Sequence, residues 1–147
     1  MDFELSEEQR AIAQMADSLF VDHCHDDYMR QWDNSGEPIM APLWALSIET
    51  GLHALAIPEE HGGSGLGMTE LMVVLQAQGK ALAQVPLWRH QLAAATLAQF
   101  AAGQCGAWVD KAASGEALLS LSIDGLNHAL GIELHGQATS AGWSING

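Results

Sequence analysis

Positive charge is the scarcest property of this sequence: five of its 147 residues are lysine or arginine, against 18 aspartates and glutamates. The formal net charge is −13 with histidine counted as neutral. A chain this acidic repels phosphate backbones and anionic lipid surfaces. The composition therefore argues against nucleic-acid binding and membrane association, and any polyanionic ligand would need most of its cations from elsewhere.

Cysteines and long apolar runs are also in short supply. Cys24 and Cys105 show no spacing typical of a disulfide framework, so we expect reduced thiols in a cytoplasmic protein. Apolar runs such as residues 71–75 are far shorter than a bilayer-spanning helix. Residues 1–10 carry four acids and no apolar stretch, which argues against a secretory signal there. The hydrophobic fraction of 48% still suffices for one globular domain with a core.

Helix signals begin close to the start of the chain. Ser6 and Gln9 have the spacing of a capping box, and apolar residues then recur at helical intervals, so a first helix is predicted to run to about Phe20. Residues 21–42 are polar and contain an Asn-Ser-Gly turn signal. They predict a helix end followed by a loop.

Four further helices are predicted before residue 115. One spans residues 42–50, with Gly51 where a C-terminal cap belongs. The next is capped by Thr69 and is apolar nearly all round, which is typical of a central helix. Alanine and leucine then favour helices over residues 87–101 and 107–113.

The hydrophobic period changes after residue 115. Leu119, Leu121 and Ile123 alternate with polar residues, the two-residue repeat of a half-buried strand, and Trp143 and Ile145 continue in that style. The predicted fold is therefore mainly α. A helical-bundle domain over residues 1–115 is followed, over residues 116–147, by the first strands of a β domain that the sequence leaves incomplete.

A glycine-rich loop over residues 62–67 allows two interpretations. Its Gly-x-Gly-x-Gly stretch resembles half of a dinucleotide-binding fingerprint, but no β-branched strand precedes it and the final spacing is wrong. Glu59 and Glu60 would also repel phosphate. A tight structural turn is favoured over phosphate binding.

Other chemistry-bearing groups give weaker signals. Residues 23–27 are of the types that bind metals: histidine, cysteine and aspartate. A closed zinc site needs a second pair of ligands. The simpler prediction is an exposed charge pair between His23 and Asp27 on one helix. No nucleophile elbow is present. Large aromatics in helical segments are predicted to be core residues: Trp44, Trp88 and Trp108.

Three segments, in this order, resemble acyl-CoA dehydrogenases: residues 1–9, residues 51–67 and residues 142–147. The middle segment, with its Pro-Glu-Glu-x-Gly-Gly-x-Gly core at residues 58–65, is the specific one. The resemblance covers the whole chain and agrees with the change from helix to strand near residue 115. Residues 79–86 are similar to a subgroup that acts on bulky CoA esters, among them steroid side-chain fragments, and that includes enzymes built from two different subunits.

The resemblance implies an FAD enzyme that desaturates an acyl-CoA between its α and β carbons. In the family a carboxylate base removes the α-proton and the flavin accepts the β-hydride. That base lies in a C-terminal helical domain, so no catalytic residue is expected in these 147 residues, and the fragment alone is expected to be inactive and to hold no flavin. The family also implies electron-transfer flavoprotein or a similar acceptor as a partner, and a homo- or hetero-oligomer.

Two sets of site residues follow from the resemblance. Leu87, Trp88 and Gln91 match the family helix that lines the acyl pocket, with ordinary core packing as the alternative. The cofactor-binding candidates match the strand that faces the flavin: Leu121, Ile123 and Asp124.

The flavin-facing strand departs from the family pattern at residues 124–126. Asp-Gly-Leu stands there in place of the usual Thr-Glu-Pro. A threonine hydroxyl can donate a hydrogen bond to the flavin, whereas an ionised aspartate can only accept one. Two hypotheses follow: an FAD-dependent acyl-CoA dehydrogenase when complete, or a non-catalytic, flavin-deficient subunit that assembles with a catalytic partner. A helical binding module unrelated to the family is a third.

Overall fold

The computed structural model describes residues 4–121, 135–140 and 142–146. Within these ranges the chain forms five α-helices: α1 (Glu7–His23), α2 (Asp26–Asp33), α3 (Ala41–Glu49), α4 (Met68–Lys80) and α5 (Leu87–Ala113). Two short 3₁₀-helices, Leu52–Ala54 and Glu59–His61, lie between α3 and α4. Strands β1 (His135–Thr139) and β2 (Gly142–Asn146) follow. The predicted order of a helical domain and then strands is confirmed.

Helix α1 begins as predicted. The Ser6 hydroxyl accepts from the Gln9 amide at 3.1 Å, and the Gln9 side-chain oxygen accepts from the Ser6 amide at 3.0 Å, which completes the capping box. The side-chain nitrogen of Gln9 donates to the Glu70 carboxylate of α4 at 2.8 Å. The cap thus also ties α1 to the helix on which it packs.

The loop predicted for residues 21–42 is wrong, because it contains α2. His25 caps this helix by accepting from the Tyr28 amide at 3.3 Å. The helix buries no residue completely, and its apolar face, formed by Tyr28, Met29 and Trp32, is only two turns long. The predicted His23–Asp27 pair on one helix is also wrong. The chain leaves helical geometry at Cys24, and His23 instead lies 2.8 Å from the Leu19 carbonyl oxygen.

The core consists of two groups of buried side chains. The larger lies between α1, α3, α4 and the start of α5, and the smaller lies between residues 54–57 and α5. Members of the larger group include Phe20, Met40, Leu43, Leu52, Val74 and Leu87. Members of the smaller group include Ala54, Ile57, Ala94, Val109 and Ala112. The 3₁₀-helix at Leu52–Ala54 contributes to both.

Helix α4 differs in two ways from its prediction. It begins at Met68 with Gly67 as the N-cap residue, so Thr69 lies inside the first turn and is not the cap. One face is buried through residues such as Leu71 and Val74, but Met72 is 57% exposed. The helix is therefore amphipathic and not enclosed on all sides within the described part of the chain.

The two helices predicted at the end of the domain are both present and join as α5: helical geometry breaks at Ala101, where the first was predicted to end, and the second begins before residue 107. Helix α5 runs through residues 102–106, with a kink at Ala101 (φ −140°, ψ 21°). Trp108 was predicted to be core and is instead 54% exposed, with the Lys111 ammonium 5.3 Å from its ring centroid. Trp44 and Trp88 are half-buried.

The chain turns after α5 and ends in a hairpin. Gly115 adopts φ +78°, and an added Cβ would lie 2.7 Å from the Ile48 side chain, so this turn requires glycine. Strands β1 and β2 pair antiparallel, with Thr139 opposite Gly142. Residues 118–121 form no regular strand, and Ile123 lies outside the described residues. The predicted domain boundary at residue 115 stays a prediction.

Candidate functional site

The glycine-rich loop folds back on the segment before it. The amides of Ser64, Gly65 and Leu66 donate to carbonyls of residues 54, 57 and 55 at 2.8–3.0 Å, and the amides of residues 61–63 donate to residues 58 and 59. A phosphate cradle needs amides that point outward unpaired. These six are all used within the protein, so the prediction of a structural turn is confirmed.

Gly63 is the point of closest approach in this loop. A Cβ added there would overlap the Ile57 carbonyl oxygen and lie 2.5 Å from the Ile57 Cβ, a separation that real side chains do not reach. Gly62 and Gly65 adopt positive φ values of 86° and 62°. The glycines of this loop are therefore required by backbone geometry.

A short hydrogen bond fastens the loop to α5. Nδ1 of His61 lies 2.6 Å from Oδ1 of Asp110, and the His61 side chain is only 13% exposed. Gly106, one turn earlier on α5, faces the same ring, and an added Cβ there would make an ordinary contact with it at 3.6 Å. The motif that carries the family resemblance is thus held against the long helix.

The first half of α5 presents a stripe of fully buried residues with helical spacing: Leu87, His90, Gln91 and Ala94. The Gln91 side-chain oxygen accepts from the Ala56 amide at 2.9 Å, and its nitrogen donates to the Leu52 carbonyl at 3.0 Å. Leu87 belongs to the larger core group. Two of the three predicted acyl-lining residues therefore face the interior of the domain.

Trp88 is the predicted lining residue that faces a cavity. The cavity, about 300 Å³, lies between the ends of α4 and α5 and is lined by Leu75, Gln78, Gly79, Leu82, Ala83, Gln84 and Trp88. The Arg89 guanidinium lies 5.2 Å from the Trp88 ring centroid. The Gln78 nitrogen donates to the carbonyls of Ala83 and Val85, which shapes the turn between the two helices. The cavity is thus largely apolar, with one cation at its edge.

Two buried histidines, His53 and His90, form a second feature of this region, called here the histidine pair. Their rings stack at 6.0 Å with an interplanar angle of 24°, and the edge of Trp44 meets both. Burial lowers the pKa of His53. Burial, with the charge of His53 adding to it, lowers the pKa of His90 to about 4. Both rings are therefore neutral at pH 7.

The histidine pair contacts the end of α5 and the chain beyond it. Nε2 of His53 lies 2.9 Å from the Ala113 carbonyl oxygen, so this nitrogen carries the proton and donates. Nδ1 of His90 accepts from the Leu119 amide at 3.1 Å. Leu119 also packs on the smaller core group. The pair therefore fixes two points of the backbone, one on each side of Gly115.

One of the three cofactor-binding candidates lies within the described residues. Leu121 is half-buried, two residues after the Leu119 amide, whereas Ile123 and Asp124 lie outside the described ranges. In the part of the chain that the structure describes, four cations are paired with acids, as Arg10–Glu4, Arg30–Asp26, Lys80–Asp17 and Lys111–Glu116. Arg89 is stacked on Trp88.

The described residues do not by themselves fit an FAD site. A dinucleotide carries a diphosphate, which proteins hold with cations or unpaired backbone amides. The amides of residues 61–66 are bonded internally, and four of the cations have acidic partners. The residues described could offer apolar contact at Leu121, and groups outside them would have to hold the phosphates. Metal binding at residues 23–27 has no support either: within the described ranges no three side chains cluster as ligands.

Comparison with known proteins identifies the fold. Residues 6–116 match the family described as Acyl-CoA dehydrogenase, N-terminal domain. The chain belongs to this family. The Acyl-CoA dehydrogenase FadE27 of Mycobacterium tuberculosis is 33% identical to this acyl-CoA dehydrogenase domain over 127 residues, which cover 85% of the chain and 34% of the relative.

Solved structures agree with the sequence match. A chain of the ChsE4-ChsE5 complex from Mycobacterium tuberculosis superposes with a TM-score of 0.82 at 27% identity, over all of this chain and 40% of that one. A Tcur3481-Tcur3483 steroid ACAD variant gives 0.80 at 29% identity, over 96% of this chain and 40% of that one. This acyl-CoA dehydrogenase domain therefore spans well under half the length of the proteins it matches. The sequence-based resemblance is confirmed.

The sequence interpretation missed the histidine pair and the internal role of Gln91. A signal was present, because His90 and Gln91 stand at positions of the α5 stripe where the helical period calls for apolar residues. Polar residues at such positions must be hydrogen-bonded in the core. Their partners, at residues 52, 56 and 119, could not be read from spacing.

None of the described helices is long and apolar enough to cross a membrane.

Proposed function

We propose that this chain is the N-terminal domain of an FAD-dependent acyl-CoA dehydrogenase, which removes hydrogen from the α and β carbons of an acyl-CoA thioester when complete. The family match over residues 6–116 carries the proposal. The folded glycine-rich loop and the hydrogen bond from His61 to α5 support it, since they build the segment in which the family resemblance is most specific. Electron-transfer flavoprotein or a similar carrier is the proposed acceptor, and the cytoplasm the proposed location.

In this proposal the chain supplies a wall of the acyl site and no catalytic group. Leu87 and Gln91 support the wall from inside the domain, and Trp88 presents its half-buried ring to the cavity between α4 and α5. The reacting carbons, the base and most of the flavin site belong to the rest of the protein. A bulky acyl group is the proposed substrate class, supported by the likeness to a structure described as a steroid ACAD.

The second candidate is a subunit that binds no flavin and assembles with a catalytic partner. Asp124 in place of threonine and the paired cations of the described residues favour it. A neighbour described as a complex of two differently named proteins supports hetero-oligomeric assembly. Here the domain would serve packing between subunits.

The visible spectrum of the complete natural protein, purified alone and with any co-purifying partner, separates the two candidates. The enzyme proposal expects a yellow protein whose flavin absorbance bleaches when a long-chain or steroid acyl-CoA is added without an acceptor. A colourless protein that cannot be reconstituted with FAD contradicts it and supports the second candidate. A yellow protein that no acyl-CoA bleaches contradicts the proposed substrate class.

Replacing Trp88 tests the proposed wall. In the active complete protein, Trp88→Ala is expected to raise KM for a bulky acyl-CoA about tenfold, because loss of an aromatic contact worth roughly 1.5 kcal/mol weakens binding by about that factor. Steady-state kinetics with bulky and short acyl-CoA substrates measure the effect. Trp108→Ala, at an exposed tryptophan on the same helix, is the control and should leave KM unchanged. Equal KM values for both variants would contradict a lining role for Trp88.

A further inference from the structure

The chain leaves the helical domain along a path that is determined at two backbone atoms. Helix α5 ends at Ala113, whose carbonyl is one of the groups that a helix C-terminus leaves without an internal partner. His53 donates to that carbonyl. Six residues later the Leu119 amide donates to His90. The turn at Gly115 lies between these two contacts. The exit segment, residues 114–121, is therefore held by the same pair of rings at the residue that precedes it and at Leu119.

The contact to Leu119 requires a neutral His90 ring. His90 can accept from Leu119 only while Nδ1 carries no proton. A proton on Nδ1 would turn the acceptor into a donor that faces the donating Leu119 amide. The contact would then change from a hydrogen bond to a repulsion between two N–H groups. The His53 contact differs, because its donating nitrogen keeps its proton in both states.

Within the described ranges the pair has no acidic partner, and the backbone carbonyls that favour a charged ring, of Ala112 for His90 and of Ser47 and Ala113 for His53, are outweighed by burial. His90 is completely buried and His53 is 3% exposed. From α3 the pair faces the Trp44 ring, from the exit segment it faces the Leu119 amide, and from the end of α5 it faces backbone groups. Among the described residues, the titratable group that acts on His90 is His53 itself. The acids and cations of these elements have exposed side chains: Glu49, Arg89, Asp110, Lys111 and Glu116.

We propose that the histidine pair positions the exit segment, residues 114–121, against the helical domain, and that uptake of one proton by the pair releases the Leu119 amide. His53 and His90 are positioning residues in this role and contact no reactant. The pair sets the direction in which the chain leaves α5 as far as Leu121. Since each contact lies within the described residues, the inference does not depend on the proposed function.

Amide hydrogen exchange on the 147-residue chain at pH 7, followed by NMR, tests the positioning role. His90→Leu removes the acceptor, and Leu119 exchange is expected to become roughly tenfold faster, as loss of one hydrogen bond implies. His90→Asn places an amide oxygen near the position of Nδ1 and should restore most of the protection. The Ala117 amide, which donates to the Lys111 carbonyl, is the internal control and should not change in either variant. Unchanged Leu119 exchange in His90→Leu, with Ala117 still protected, overturns the proposal.

A pH titration tests the release. The folded pKa of His90, about 4, lies below the value of about 6.5 for an unfolded histidine, so the unfolded chain binds more protons between these values. The contribution of His90 to stability is therefore complete above about pH 6.5 and is lost as the pH falls towards 4. In the wild-type chain the Leu119 amide shift should follow that titration, while the shift of Ala117 stays constant. In His90→Asn the Leu119 shift should show no inflection.

The partner variant tests whether the two rings act as a pair. His53→Gln keeps an N–H donor for the Ala113 carbonyl but removes the second titratable ring. Because the charge of His53 contributes to the lowered pKa of His90, the inflection of the Leu119 shift should move to higher pH. An inflection at the same pH as in the wild-type chain shows two independent rings and overturns the paired mechanism. A Leu119 shift that follows only global unfolding, as reported by far-UV circular dichroism, overturns the release itself.

Discussion

Gly63→Ala is expected to destabilise the domain by at least about 3 kcal/mol, the upper part of the range for overpacked sites. The added Cβ meets the backbone of Ile57 and not the end of a flexible side chain, so relief requires the loop to move. Movement would break the hydrogen bonds that the backbone amides of residues 63–66 donate to carbonyls of residues 54–58. For a domain of this size the loss corresponds to a fall in Tm of about 6–12 °C, measured by thermal unfolding.

Gly79→Ala is the matched control for this substitution. Gly79 lies inside α4, and an added Cβ there meets nothing within 4 Å. Alanine is the better helix former, so this variant should be more stable than wild type by about 0.5–1 kcal/mol. Equal Tm values for the two alanine variants would show that the loop tolerates a side chain at residue 63 and that the close approach to Ile57 is not required.

Gln91→Leu is expected to cost about 2–4 kcal/mol of unfolding free energy. Leucine has a similar volume but leaves the Ala56 amide and the Leu52 carbonyl without partners, and each orphaned group costs about 1–3 kcal/mol. Chemical denaturation at an unchanged m-value measures the difference. Gln99→Leu, at an exposed position on the same helix, is the control and should fall within about 0.5 kcal/mol of wild type.

A second substitution at Gln91 separates the two hydrogen bonds. Gln91→Glu keeps an oxygen for the Ala56 amide but loses the N–H donated to Leu52. Its stability should be below wild type and should improve at low pH, where the protonated carboxyl can donate. If Gln91→Leu were as stable as Gln99→Leu while KM of the complete enzyme rose, the acyl-lining role predicted from the sequence would be favoured over the internal one.

Local features of this fold could be predicted because their causes are local. The Ser6 capping box, the end of α3 at Gly51 and the need for a tight turn at residues 62–67 all follow from residues within a few positions of one another. Helix α2 was missed although Tyr28, Met29 and Trp32 give it an apolar face that packs on the core. Eight residues are too few for a helix that is stable alone, and the turn signal that follows favoured a loop.

The candidate site depends on contacts between distant segments. Gln91 bonds to residues 52 and 56, and His90 bonds to Leu119. The helical period marks Gln91 and His90 as buried polar residues, but it names no partner for either. The family resemblance predicts that the first part of α5 lines the acyl pocket, and this role stays a prediction. It could not distinguish Trp88, which faces the cavity, from Leu87 and Gln91, which face the core.

The pairing of α1 with α4 has a consequence for the order of folding. Gln9 and Glu70 are 61 positions apart, so this contact closes a long loop. Loop closure costs entropy before any packing compensates it, and contacts of high sequence separation form slowly. By contrast, the loop at residues 54–66 bonds to itself within about a dozen positions. We therefore expect the loop at residues 54–66 to form early in folding. Helix α1 is expected to dock on α4 in a later step.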